Sequence, residues 1–342
     1  LPTANDEQTY ERIWFASEAK ALIGLGEIHM FPPNNIMVCS LGKKESNSHF
    51  MSVITEYYEI LPPYPTSGFT SNTEDIMKHL VLSVRQRLQD EVPWGAALSG
   101  GLDSSIISSI IYTPSDEEIN EVKSFCIGLE NSSDSKIAAT WGNHLGNHYS
   151  IIISVEEALR CVKDVVWSLE TYDVTTIRAG IMNYLLAKKM KQFGIKVAYS
   201  GEGSDELFGG YLYFHHCPSA KEMQKELIRK MEELCFYDCL RCNKAFAAHG
   251  IECRVPFLDR NFVDFVMKID PTDKLSSKHP NGPKQEKEIL RNAFYSYMKE
   301  MEIENLCGTI NYADCYNICK RQKDQFSDSV GKEWIEGLKK EA

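Results

Sequence analysis

The sequence predicts an α/β protein: a parallel sheet with helices on both faces, followed by a mostly helical C-terminal part. Three observations predict it. Between residues 73 and 210, short apolar runs alternate with amphipathic segments of helical period. The runs are apolar throughout rather than at every second position, as in strands covered on both faces. Beyond Gly210 the helical period takes over almost completely.

Taken in order, residues 13–16 and 36–40 read as short strands around a short helix at 17–25 and a turn at Pro32-Pro33-Asn34. The stretch 61–71, LPPYPTSGFTS, is rich in Pro, Ser, Thr and Gly and marks a linker at 62–72. The sixty-odd residues before it bury too little apolar surface to be comfortably stable alone, so 1–61 reads as the end of a larger domain or an appendage. The main domain then occupies 73–342. Its first helix, 72–91, carries Ile76, Leu80, Val84 and Leu88 at four-residue spacing, with Asn72 or Thr73 as N-cap. Strands follow at 94–98, 122–128, 149–154 and 195–200. Helices fall between them at 103–112, 135–145, 156–170 and 179–193, and residues 219–248 form the longest helical stretch.

Composition narrows the function classes. The 342 residues are 43% hydrophobic and 25% charged, ordinary for a globular protein of about two domains. A net charge of −11 disfavours a general nucleic-acid or anionic-membrane binder, which needs a positive field. No apolar run approaches the roughly 20 residues of a membrane span. Eleven cysteines, an odd count in a chain too large to need staples, predict reduced thiols and a cytoplasmic protein. The first ten residues are polar without a secretory profile and lack an initial Met, which predicts a processed or truncated chain.

Two glycine-rich turns hold the unusual residues. The first, Leu98-Ser99-Gly100-Gly101-Leu102-Asp103-Ser104-Ser105, follows a strand and opens a helix. Its glycines let backbone approach a ligand, its serines add donors, and helix N-terminal amides attract an anion. It is not a Walker A loop, because Gly101 and Leu102 stand where that loop needs Lys and Ser or Thr. Without the lysine, charge must be neutralised by a metal or from elsewhere, and Asp103 is a candidate Mg²⁺ ligand. An ordinary serine-capped strand-to-helix turn explains the spacing equally well. The second turn, Ser200-Gly201-Glu202-Gly203-Ser204-Asp205-Glu206, places three carboxylates within five residues after a buried-looking strand. Such a cluster is costly without cations; a solvated acidic loop is the bland alternative. A dinucleotide fingerprint fails here, since Glu206 holds the third glycine position.

Several longer motifs carry a resemblance. SGGLDSS at 99–105 resembles the pyrophosphate loop of the ATP-pyrophosphatase enzymes, which share the adenine nucleotide alpha hydrolase-like fold. SGEGSDELFGGY at 200–211, ETYDVTTIRA at 170–179 and RVPFLD at 254–259 resemble the glutamine-dependent asparagine synthetases of bacteria and eukaryotes. EKEILR at 286–291 and RQKDQFSD at 321–328 extend the likeness nearly to the C-terminus. WFASEAKAL at 14–22 with FPPN at 31–34 resembles the last part of that family's glutaminase domain.

The resemblance implies ATP and Mg²⁺ as cofactors and aspartate with ammonia as substrates, the ammonia coming from glutamine where a glutaminase half is present. The product is asparagine, formed through β-aspartyl-AMP with release of AMP and pyrophosphate. By position in these motifs, Ser99, Gly100, Gly101, Asp103 and Ser104 would cradle the phosphates. Leu98, Ile127, Ser200 and Gly201 would line the nucleotide pocket, and Asp103 and Asp205 would hold Mg²⁺. Lys287 would meet charge developing at the phosphorus and acyl centres, and Glu202 would act as acid/base or orienting carboxylate for ammonia. Without the resemblance, Lys287 is one more lysine on a solvated helix. Asp205, Asp238 and Arg241 are candidate aspartate-binding residues, although an internal ion pair suits Asp238 and Arg241 as well. Arg321 and Lys323 would close over pyrophosphate. The family's glutaminase uses an N-terminal cysteine, whereas residue 1 here is leucine and Cys39 is internal, so the expectation is no glutaminase activity in this chain.

The same-fold alternative is an adenylating enzyme such as a β-lactam synthetase, which uses a Tyr–Glu pair in place of an ammonia site. A catalytically silent nucleotide-binding homologue is the other. No nucleic-acid or membrane partner is expected, and a homodimer is compatible with the reading. Cys235, Cys239 and Cys242 share a helical face, but without a second pair at ligand spacing they read as buried small residues rather than a zinc site. The whole reading requires the turns near residues 100 and 203 to lie side by side.

Overall fold

The computed structural model describes residues 8–10, 12–44, 47–56, 73–88, 91–112, 123–130, 132–275, 285–303 and 312–321. The expected linker at 62–72, the cap Asn72, and Lys323 with the rest of 322–328 lie outside the described residues. The chain divides into two compact units, Leu1–Pro62 and Pro63–Ala342.

In the first unit, β1 (Gln8–Tyr10), β2 (Asn35–Lys44) and β3 (Asn47–Glu56) form an antiparallel sheet in the order β1-β3-β2. β2 and β3 stay in register from Asn35 opposite Glu56 to Lys44 opposite Asn47. The strand expected at 36–40 is therefore present and longer. The sequence reading gives no strand at β3, which pairs with β2 along its whole length. Residues 13–16 are not a strand: Trp14 and Phe15 are exposed and join no ladder. The helix expected at 17–25 shrinks to the single 3-10 turn Ala19–Leu22, stopped where Ile23 leaves helical ψ at 125°.

The second unit is built on an all-parallel sheet of β4 (Trp94–Ala97), β5 (Lys123–Leu129), β6 (Asn147–Ile153), β7 (Val197–Tyr199) and β8 (Glu252–Arg254), ordered β6-β5-β4-β7-β8. The helices up to the second glycine turn are α1 (Thr73–Arg85), α2 (Leu102–Tyr112), α3 (Ser133–Leu145), α4 (Val155–Arg160), α5 (Val162–Leu169) and α6 (Val174–Gln192). After it come α7 (Ser204–Phe208), α8 (Ala220–Glu233), α9 (Asp238–Ala247), α10 (Arg260–Val266), α11 (Pro271–Lys274), α12 (Glu288–Ile303) and α13 (Tyr312–Lys320). One face of the sheet presents Phe125 and Ala198 to α6 and α9, with Leu186, Met190 and Phe246 closing the core. On the other face Ser124 bonds His148, and the His148 ring lies against Gly142 of α3. The expected parallel sheet with helices on both faces is thus the fold.

Side-chain caps set several helix starts. Asp173 accepts the Thr176 amide at 2.7 Å, so α6 begins five residues earlier than its apolar period suggests. Ser154, Ser219 and Asp259 cap α4, α8 and α10 in the same way. The single helix expected at 156–170 is two, broken at Cys161, where ψ rises to 3°. The long stretch expected at 219–248 is also broken. A 3-10 turn at Leu234–Phe236 and a non-helical Tyr237 (φ −128°, ψ −82°) redirect the chain, so α9 packs against α6 and β8 instead of prolonging α8.

Candidate functional site

In chain order the parallel strands read 3-2-1-4-5, so the winding direction reverses between β4 and β7, which lie side by side with Trp94 opposite Val197 and Ala96 opposite Tyr199. At such a reversal the loops leaving the carboxyl ends of adjacent strands diverge to opposite faces and open a crevice. The two glycine turns are the loops leaving β4 and β7.

They touch. A Cβ at Gly201 would come within 2.8 Å of the Asp103 carbonyl carbon and the Ser104 nitrogen, so only glycine lets the second turn lie on the start of α2. Gly100 has φ +80°, and a Cβ there would meet the Asp134 carbonyl oxygen at 2.4 Å. The first turn is braced internally: the Ser99 amide donates to Ser104 Oγ at 3.1 Å, and the Ser104 and Ser105 hydroxyls donate to the Gly101 carbonyl at 3.2 and 2.9 Å.

Across the crevice, Asp103 Oδ1 accepts from Ser204 Oγ at 2.8 Å and Asp103 Oδ2 meets Lys287 Nζ at 2.7 Å. The same Nζ lies 2.6 Å from Asp205 Oδ1 and 3.2 Å from Ser204 Oγ. Lys287 is 2% exposed and sits at φ +56°, on a turn just before α12 that a lysine adopts only under constraint. One buried ammonium therefore ties the carboxylates of both turns. This accounts for Asp205 within the acidic cluster: its cation comes from a residue 184 positions beyond Asp103.

A second polar group adjoins the first. Arg241 pairs with Asp238 and approaches Glu202 at 3.7 Å. Tyr211 donates to Glu206 and lies 3.1 Å from Asp238 Oδ2. Burial, with Asp205 and Asp238 nearby, pushes the Glu206 carboxyl up to about 8. Burial and the Glu206 charge push the Tyr211 hydroxyl up as well. Arg321, just after α13, pairs with Asp134 and donates to the Gly100 carbonyl at 3.3 Å.

Of the residues singled out from sequence, Ser99, Gly100, Gly101, Asp103, Ser104, Ser200, Gly201, Glu202, Asp205, Lys287 and Arg321 belong to these turns or contact them. Ser200 also carries a bond from its amide to the Arg254 carbonyl at 2.9 Å, which ties the turn to the edge strand β8. Asp238 and Arg241 form an internal ion pair beside Glu202. Leu98 is buried at the end of β4, and Ile127 packs into the hydrophobic clusters on the α5–α6 side of the sheet. Ser204 and Tyr211 lie inside the quoted motif yet are not singled out by residue type, and Glu206 is read there only as one of three clustered carboxylates, with no partner assigned; Asp134 carries no sequence signal.

Among the described residues no three His, Cys, Asp or Glu side chains converge as a metal site. His144 instead pairs with Asp314 and His148 with Ser124 and Ser150. The ten described cysteines are free thiols. Cys235 lies on the 3-10 turn rather than on α9, so it does not continue one face with Cys239 and Cys242, and Cys242 packs against Cys253. No described helix is long and apolar enough to cross a membrane.

This sheet order, with two glycine turns meeting at the reversal, is that of the adenine nucleotide alpha hydrolase-like α/β proteins. Comparison with known proteins narrows the class. The asparagine synthase family model matches residues 75–222 and 216–304, and the chain belongs to that family. The chain is 41% identical over 354 aligned positions to asparagine synthetase B [glutamine-hydrolyzing] of Escherichia coli K12, covering 100% of this chain and 59% of that protein. It is 38% identical to a probable asparagine synthetase [glutamine-hydrolyzing] of Dictyostelium discoideum, covering 96% and 59%. It is 39% identical to asparagine synthetase [glutamine-hydrolyzing] 2 of rice, Oryza sativa subsp. japonica, covering 96% and 53%. The chain thus spans little more than half the length of these curated relatives.

Proposed function

We propose that the second unit converts aspartate to asparagine at the expense of ATP. The observation that carries the proposal is the pair of glycine turns joined through Asp103, Asp205 and Lys287 at the reversal of the sheet. In this reading the aspartate side-chain carboxylate attacks the α-phosphorus, the bond to the β-phosphate oxygen breaks, and pyrophosphate leaves. Ammonia then attacks the acyl carbon of β-aspartyl-AMP, AMP leaves, and the nitrogen sheds a proton.

The residues divide this work. Ser99, Gly100, Gly101 and Ser104 offer amides and hydroxyls to the phosphates, and Arg321 and Lys323 add positive charge for the departing pyrophosphate. Lys287 stands where negative charge accumulates. Glu202 accepts or orients the proton of ammonia. Asp205, with the Asp238–Arg241 pair, faces the amino-acid end of the substrate. The donor set also suits Mg²⁺, which takes one or two carboxylates and completes its shell with phosphate oxygens and water; Asp103 and Asp205 are the two carboxylates. When bound, Mg²⁺ would neutralise phosphate charge. The relatives' names favour asparagine over a β-lactam product. By the same resemblance, the first unit corresponds to the tail of a glutaminase domain, residues 62–72 to a linker, and the setting is cytoplasmic.

The test is to incubate the chain with ATP, Mg²⁺, aspartate and ammonium and to separate the nucleotides. AMP, pyrophosphate and asparagine in equal amounts are expected. ADP would replace the proposal with γ-phosphoryl transfer, and nucleotide binding without turnover would leave a silent homologue.

A further inference from the structure

Two cations approach the first glycine turn from opposite ends: Lys287 reaches Asp103, and Arg321 reaches the Gly100 carbonyl. They come from separate elements, the turn before α12 and the end of α13. A third residue, Arg291, binds both. Its guanidinium is buried at 4% exposure. Nε donates to the Glu286 carbonyl at 2.7 Å, and Nη2 pairs with the fully buried Glu286 carboxylate. Nη1 donates to the carbonyls of Ile318, Cys319 and Arg321 at 3.2, 3.1 and 2.9 Å. The Arg291 amide also donates to the Lys287 carbonyl at 3.0 Å, and Gln285 Nε2 adds a bond to the Cys319 carbonyl at 2.9 Å.

One planar fork thus joins the peptide preceding Lys287 to the negative end of α13, where carbonyls lack helical partners and favour a cation. The Glu286 carboxylate neutralises the buried guanidinium, which would otherwise be costly. A lysine in place of Arg291 keeps the charge but cannot span both sides in a fixed plane.

We propose that Arg291 is a positioning residue that sets the spacing of Lys287 and Arg321 along the first glycine turn, and so the geometry in which that turn receives a polyphosphate. The proposal rests on reading this turn as a phosphate cradle. Arg291 touches no substrate in this account; it acts through the two cations.

The experiment compares wild type, Arg291→Lys, Glu286→Gln, Arg321→Ala and the double variant Arg291→Lys/Arg321→Ala. Magnesium pyrophosphate binding is measured by calorimetry, and KM for ATP and for aspartate is measured on the folded fraction. Displacing a binding group by about 1 Å costs up to roughly a hundredfold. Arg291→Lys should therefore weaken pyrophosphate binding and raise KM for ATP by roughly tenfold or more, with KM for aspartate changed by less than about twofold. Glu286→Gln should shift the same constants in the same direction, which keeps the test open if Arg291→Lys does not fold. In the Arg321→Ala background the effect of Arg291→Lys should shrink, because part of its route is gone. Unchanged pyrophosphate binding and KM in the folded variants would reduce Arg291 to a structural ion pair and overturn the proposal. Full additivity with Arg321→Ala would overturn it as well. If wild type itself bound no pyrophosphate, the cradle reading would fail first.

Discussion

Replacing Lys287 by methionine keeps most of the apolar stem of the buried side chain and removes its charged end. Two carboxylate oxygens, of Asp103 and Asp205, each lie within 2.7 Å of the lysine nitrogen, so they stand no more than about 5.3 Å apart. The two carboxylate side chains are about one-fifth exposed. At the effective dielectric of about 20 for such sites, two unit charges at that separation repel by about 3 kcal/mol. The lysine now offsets this repulsion; methionine does not. For a unit of this size the loss corresponds to a melting temperature lower by roughly 5–10 °C. Differential scanning calorimetry of the nucleotide-free protein measures it directly. Two controls separate charge from packing. Millimolar Mg²⁺ should restore much of the lost stability in Lys287→Met while moving wild type little, because the ion replaces the missing cation. Asp205→Asn should also rescue Lys287→Met, because one of the repelling charges is gone. A Lys287→Met protein that melts with wild type, or one that Asp205→Asn destabilises further, would refute the account of the site as two anionic turns held by one ammonium.

Asp103→Asn should lower aspartate-dependent pyrophosphate release on the order of a hundredfold, since it removes a charge from the group that meets both Lys287 and the proposed metal; coupled pyrophosphate detection checks it. Glu206→Gln should alter stability in a pH-dependent way. The folded carboxyl keeps its proton up to about 8, against an ordinary 4.5, so between these values the unfolded chain has already released a proton that the folded chain holds. The stability tied to this group is therefore complete at low pH and drains as pH rises through the window. The glutamine variant should show a flatter decline and melt above wild type on the alkaline side, as followed by thermal melts across the window. Gly201→Ala should separate the two turns, because its Cβ would press on the Asp103 and Ser104 backbone. A loss of roughly 1–3 kcal/mol in stability is expected from the overpacking, with a larger proportional loss of adenylation, checked by denaturant melts and AMP release.

Much of the second unit is legible in the chain because periodicity reports which side of an element is apolar. The runs that became β4 to β7, and the glycines that end β4 and β7, are visible without coordinates. Where a helix starts depends on one cap, so Asp173 sets the start of α6 against the apolar period. Where a helix breaks depends on a backbone excursion at Tyr237 or Cys161 that hydropathy does not register. β8 is a three-residue edge strand, Glu252-Cys253-Arg254, held to β7 by ladder hydrogen bonds that leave little hydrophobic trace.

The site divides in the same way. Residue types and their clustering within each turn are local and can be read directly: serine and glycine in one, carboxylates in the other. Their meeting is not local. Asp103 and Ser204 are 101 positions apart, and Lys287 is 184 positions from Asp103. The sequence alone specified strands, helices and two unusual turns; the tertiary structure decided that β7 lies beside β4, that a buried lysine from a distant turn joins their loops, and that Arg291 ties the residue before that lysine to the end of α13. The physical reason is that hydrophobic period encodes burial of an element, whereas the neighbour it is buried against follows from the order in which parallel strands are wound.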